Sequence, residues 1–189
     1  MPANSYGIIV EGEYDSVVYE AIIRNLASHD VHVKARDCGG RANLMQKFPR
    51  LLKFFEYAVS PPVDMVIVIQ DADGRDADEL EQKMQSKIAG RPPFPVHCCA
   101  VRQAMEAWLL ADAEAIRIVA ERRSKKGAVK SQRDPEELPN PKQALRELLE
   151  GNKIPYTARV GAEIAHEMNA QVVSNKCPRF RVFSELVDC

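Results

Sequence analysis

The chain has 189 residues, a formal net charge of −1, 46% hydrophobic and 28% charged residues, which are ordinary globular values that argue against disorder and fibrous classes. Near-neutral charge excludes a global attraction to nucleic acid, so any phosphate binding has to come from a local concentration of cations. Five cysteines, Cys38, Cys98, Cys99, Cys177 and Cys189, with no CxxC spacing, suggest neither a disulfide framework nor a zinc site and fit a reducing cytoplasm.

Apolar runs such as Ile8 to Val10 and Met65 to Ile69 are far shorter than the roughly 20 residues of a membrane helix, so no membrane partner is expected. The N-terminus has no positive segment followed by a long apolar stretch, so a secretory signal is not expected either.

In chain order, Tyr6 to Val10 reads as a buried strand ending at a Glu11-Gly12 turn. Val17, Val18, Ala21, Ile22 and Leu26 recur at helical spacing after Asp15, which sits near the positive helix end. A second strand is expected at Val31 to Ala35, closed by Gly39-Gly40, then an amphipathic helix carrying Leu44, Phe48, Leu51, Leu52 and Phe55. Pro49 requires a first turn or a kink there.

Met65 to Ile69 is apolar on both faces, as in the centre of a parallel sheet, and runs into Gln70-Asp71-Ala72-Asp73-Gly74. A polar-faced helix is predicted over Asp76 to Ala89 and a fourth strand over Val96 to Val101. This alternation predicts an α/β fold: a mostly parallel, four-stranded Rossmann-like sheet, flanked by helices and joined by right-handed crossovers.

Beyond Val101 helical periodicity takes over. Met105 to Leu110 leads to Asp112, a cap for a helix through Val119; Asn140-Pro141 and Gly151 bracket another; further helices are expected near Ala158 to Ala170 and Phe180 to Val187. The organisation expected is an α/β core over 1–112 and a helical extension over 113–189, packed as one globular unit.

In an open parallel sheet, functional groups gather at the carboxyl ends of strands. Glu11 and Asp15 follow the first strand, Asp71 and Asp73 the third. Converging carboxylates of this kind suit Mg²⁺ or Mn²⁺, which take hard oxygen ligands, and without a cation they repel one another. A lone DxD is more often turn chemistry. Strand-Glu-Gly-x-x-Asp, helix, strand, Gly-Gly, helix, apolar strand-DxDG is a far more specific order.

That order resembles the Toprim domain shared by topoisomerases, bacterial primases and the OLD-family nucleases. Val10-Glu11-Gly12-Glu13-Tyr14-Asp15 resembles the first motif and Ile67-Val68-Ile69-Gln70-Asp71-Ala72-Asp73 the second. Met105 to Asp112, with its Glu-x-Trp segment, resembles small stand-alone Toprim-like proteins. The resemblance implies that Asp71 and Asp73 hold Mg²⁺, that Glu11 serves as ligand or general base, and that Asp15 assists the metal. It implies a nuclease acting on DNA or RNA, with phage defence or DNA repair as context and a separate ATPase as a partner. The chain is too short for a strand-passage or polymerising module.

A phosphatase of the haloacid-dehalogenase type places its aspartate pair after the first core strand, whereas Asp71 follows the third. An EF-hand fails at Arg75 and Gln82, and a dinucleotide fold lacks GxGxxG. Fold resemblance does not establish cleavage, so a non-catalytic module that binds nucleic acid or a partner stands beside the nuclease.

Other residues carry two readings each. Glu106 is a further metal ligand or a structural hydrogen-bonding acid; Trp108 is a core anchor ahead of a stacking platform. Asp112 reads as a cap, His97 and His166 as structural or exposed, and Cys98-Cys99 as one thiol on each side of the sheet. Gly39-Gly40 makes a turn or lets backbone approach phosphate, with Arg41 beside it. Arg122, Arg123, Lys125, Lys126, Lys130 and Arg133 form a run without an acid, either a solvated loop or a phosphate-contacting one.

Overall fold

The computed structural model describes residues 3–27, 29–123, 129 and 131–187. Four strands, β1 (Ser5–Val10), β2 (His32–Asp37), β3 (Met65–Asp71) and β4 (Val96–Val101), form a sheet in the order β2-β1-β3-β4. All pairings are parallel, which makes the sheet wholly rather than mostly parallel.

Period-two alternation sorts the strands onto two cores. Ile8, Val10, Ile67, Ile69, Cys99 and Val101 face one cluster; Ile9, Val66, Val68 and Ala100 face the other. Cys99 joins the first cluster and Cys98 packs against the second, one thiol per face. Helices α1 (Glu13–Leu26), α4 (Glu106–Ala111), α5 (Ala113–Arg122), α6 (Pro141–Gly151), α7 (Ala158–Glu167), α8 (Ala170–Lys176) and α9 (Pro178–Val187) contribute to the first; α2 (Arg41–Tyr57) and α3 (Ala77–Gln85) cover the second. Gly7 is required where α2 crosses β1, because a Cβ there would lie 2.8 Å from Phe55 Cε1.

Several boundaries differ from the sequence expectation. Strand β2 begins at His32 and continues to Asp37. Of the two places expected for Pro49, the first turn is ruled out, since it lies in the middle of α2; burial of Leu44, Phe48, Leu52 and Phe55 against the sheet holds the helix through the missing N–H. Helix α3 stops at Gln85, short of Ala89. The segment expected as one helix over Ala158 to Ala170 divides into α7 and α8, because Asn169 leaves helical geometry and its side chain caps Gln171 and Val172. Helix α9 starts two residues early, at Pro178, and a short 3-10 turn at Pro135–Glu137 was not anticipated.

The first core mixes strand residues with Leu145, Leu149, Ile164, Phe180 and Phe183 of the C-terminal helices around Trp108. Trp108 is fully buried, and its Nε1 donates to the buried carboxylate of Glu136 at 2.8 Å. The anchor reading of this tryptophan is therefore correct. Among the described residues, no helix is long and apolar enough to cross a membrane.

Candidate metal centre at the carboxyl edge of the sheet

Parallel register carries β1 and β3 to the same edge. Ile9 pairs with Val68, so continuing the register sets Glu11 beside Gln70, one residue before Asp71. The chain turns at Gly12 into α1, where Asp15 Oδ2 accepts the Gly12 N–H at 2.9 Å. Asp15 thus has a capping role at the start of α1 as well as a place at the edge.

The turn after β3 is fastened to the segment after β4: Ala72 N donates to Val101 O at 2.7 Å and Asp73 N to Gln103 O at 3.1 Å. Asp73 and Gly74 hold φ of 48° and 77°, left-handed geometry that Asp and Gly tolerate best. Arg75 turns back, with Nε 2.7 Å from Ala72 O and Nη2 2.8 Å from Asp71 O. The turn is locked, while the carboxylate of Asp73 remains half-exposed and forms an ion pair with Arg41 Nη1 at 2.6 Å.

Burial and mutual repulsion raise the proton affinity of these acids. Burial, then Asp15 and Asp73, push Glu11 up to about 7, against a backbone hydrogen bond at Asp71 and the Arg41 charge. Asp15 is raised to about 6 by burial and by Glu106, with the Gly12 N–H and Lys142 opposing. Asp71 is held well above the carboxylate range by burial, Glu11, Asp15, Glu106 and Asp73.

Glu106, at the start of α4, is buried, and its Oε1 accepts from the Tyr156 hydroxyl and lies 4.0 Å from Lys142 Nζ. Its hydrogen-bonding role is thus present in the structure. Tyr156 stacks on Tyr14 at 5.2 Å between ring centroids; Lys142 Nζ lies 5.6 Å from the Tyr14 centroid and Arg146 5.3 Å from that of Tyr156. Sequence reasoning missed this aromatic and cationic wall. Lys142 and Arg146 share a face of α6 at i, i+4 spacing, but nothing local says that the face meets Glu106.

The donor set, all hard carboxylate oxygens, fits Mg²⁺ or Mn²⁺. Glu11 Oε1 is buried with no hydrogen-bond partner, an acceptor that a cation would satisfy. Among the described residues, however, no group of three or more His, Cys, Asp or Glu side chains is disposed to hold a metal ion. Glu11, Asp15, Asp71, Asp73 and Glu106 share one electrostatic field, and Asp73 is directed to Arg41.

The cations predicted for phosphate separate. Arg41 sits on the acidic edge. Arg122 pairs with Glu167 at 2.7 Å and Arg123 with Glu163, both on α7; each is used in a helix-to-helix pair instead of forming a free patch. Lys125, Lys126 and Lys130 lie outside the described residues. Past Gly74 a polar cavity of about 450 Å³ opens, but its Arg102 pairs with Glu137 and its Arg179 with Asp78 and Glu81.

Residues 10–187 match the family model described as Domain of unknown function (DUF4276). No curated protein and no solved structure gives a match.

Proposed function

We propose that this chain, which belongs to the DUF4276 family, is a divalent-metal-dependent nuclease of Toprim-like type that hydrolyses phosphodiester bonds of DNA or RNA. The observation that carries this reading is the parallel register that brings Glu11 and Asp71 to one carboxyl edge, with Asp15, Asp73 and Glu106 in the same field.

Asp71 and Asp73 would hold Mg²⁺ or Mn²⁺ together with Glu11, and Asp15 and Glu106 stand close by. When bound, the ion supplies Lewis-acid polarisation of the phosphate and lowers the pKa of water. Burial and the neighbouring acids push the metal-free Glu11 carboxyl up to about 7; beside an ion held by the two aspartates it would serve either as a further ligand or as the general base that takes a proton from the attacking water. The water oxygen bonds to phosphorus as the ester P–O bond breaks, and the leaving oxygen takes a proton from solvent. Arg41, once released from Asp73, would meet the phosphate. Phage defence or DNA repair, with a separate ATPase partner, is the context this reading carries.

A second reading, a non-catalytic nucleic-acid or partner-binding module, draws on the structural partners that two of the acids already have: Asp15 caps α1 and Asp73 pairs with Arg41. The deciding experiment incubates the purified protein with single-stranded, duplex and structured nucleic acids in Mg²⁺, Mn²⁺ or EDTA, beside Asp71→Asn. Cleavage that needs metal and is lost in a folded Asp71→Asn protein supports the nuclease. Cleavage that survives the substitution, or a wild type inert on every substrate with and without a candidate ATPase, leaves the second reading.

A further inference from the structure

The outer face of α2 carries cations that the acidic edge does not use. Leu44, Phe48, Leu52 and Phe55 turn inward, and at about 100° per residue Arg50, Lys53 and Tyr57 fall on the opposite side. Arg50 and Lys53 are exposed, three residues apart and therefore neighbours on the helix surface. Tyr57 is 78% exposed, more than the other exposed large hydrophobics, Val17 and Val182.

The turn before β4 closes a cavity of about 390 Å³ against this face and adds Arg91 to its lining, with Pro49, Pro92 and Lys53 also lining it. Among the described residues, Arg50, Lys53 and Arg91 form no ion pair. Of the described residues, Glu56 is the one carboxylate lining this groove, against the three cations. The groove therefore presents an excess of positive charge around a solvent-facing ring.

We infer that this groove binds single-stranded nucleic acid, with phosphates on Arg50, Lys53 and Arg91 and a base stacked on Tyr57. Cations follow the backbone whatever its sequence, and an exposed ring offers a stacking surface to any unpaired base. A duplex keeps its bases stacked inside and gains little from the ring. The site lies at the far end of α2 from Arg41; the helix's 17 residues span roughly 25 Å at 1.5 Å each. A strand anchored at Tyr57 can run along α2 to the acidic edge. The inference deepens the nuclease reading by naming its substrate as single-stranded, but binding here does not depend on catalysis.

The test is fluorescence anisotropy of a labelled single-stranded oligonucleotide in EDTA, where no turnover occurs. The Arg50→Glu, Lys53→Glu double variant should weaken binding by about tenfold or more and flatten its salt dependence. Tyr57→Ala should weaken the single strand by roughly fivefold and leave a duplex little changed. These side chains are exposed, so thermal unfolding should stay near wild type. Unchanged affinity and salt slope in the double variant overturn the inference. So does polyglutamate binding at this face while the oligonucleotide ignores it, which would mark an acidic protein as the partner. Wild-type cleavage with binding indifferent to these variants removes this inference and keeps the nuclease; binding through the groove with no cleavage does the reverse.

Discussion

Arg41 Nη1 lies 2.6 Å from Asp73 Oδ2, tying the first residue of α2 to the turn after β3. Both side chains are close to half exposed, so the pair adds at most about 1 kcal/mol to stability. Its larger effect is on the acid's availability. Arg41→Gln should raise apparent Mn²⁺ affinity several-fold in a calorimetric titration, with unfolding shifted only slightly. Equal affinity in the two proteins would mean that Asp73 is not a ligand.

Metal-free stability should depend on pH through Glu11. In the folded protein it is pushed up to about 7, above its ordinary value of 4.5, so between these values the folded state keeps a proton that the unfolded chain has lost. Stability from this group is therefore lost as pH rises through that window and is level outside it. Glu11→Gln removes the titration, so its stabilisation relative to wild type should be near zero below pH 4.5 and grow towards pH 7. Melting both proteins in EDTA across the range measures it; a constant offset would mean that the carboxyl is not perturbed.

The contrast between what was and was not legible follows the range of the interactions. Met65 to Ile69 is apolar without interruption, so the central strand, the DxDG turn at its end and the acidic edge could be read directly. Helix ends were harder, because long-range partners decide them. Asn169, which separates α7 from α8, gives its N–H to Asp112 Oδ2 at 2.8 Å, a residue 57 positions away. Likewise the acid-free run at Arg122 and Arg123 looked free in sequence and is paired to α7 in space. The α2 groove was missed for the same reason: Arg50 and Lys53 become a site only when the turn before β4 brings Arg91 beside them.

Gly161 is the contact point where α7 meets α1. An added Cβ would lie 2.7 Å from the Tyr14 hydroxyl and 2.9 Å from Val18 Cγ2. Gly→Ala inside a helix ordinarily stabilises by up to about 1 kcal/mol; here overpacking of about 1–3 kcal/mol opposes that gain. Gly161→Ala should therefore unfold at lower denaturant, and by displacing Tyr14 it should also disturb the Tyr156 and Glu106 wall. A stabilised variant would mean that α7 can move away from α1 without loss.

The helices after Asp112 should unfold with the sheet, and Trp108 can report it. The chain's one tryptophan packs against Phe180 and Phe183 of α9, at 5.2 and 5.3 Å between centroids, and against Tyr19 of α1 at 6.0 Å. Its indole N–H is satisfied by Glu136, whose other oxygen accepts the Arg179 N–H at 3.3 Å. One side chain thus touches the N-terminal layer and the C-terminal helices at once. Fluorescence and far-ultraviolet dichroism should trace the same single transition in urea. Glu136→Ala leaves a buried N–H without an acceptor and should cost about 1–3 kcal/mol, moving both signals together, whereas Glu136→Gln, which keeps a carbonyl oxygen, should cost less. A tryptophan signal that changes before the dichroism would instead separate a weak helical extension from an independently stable sheet.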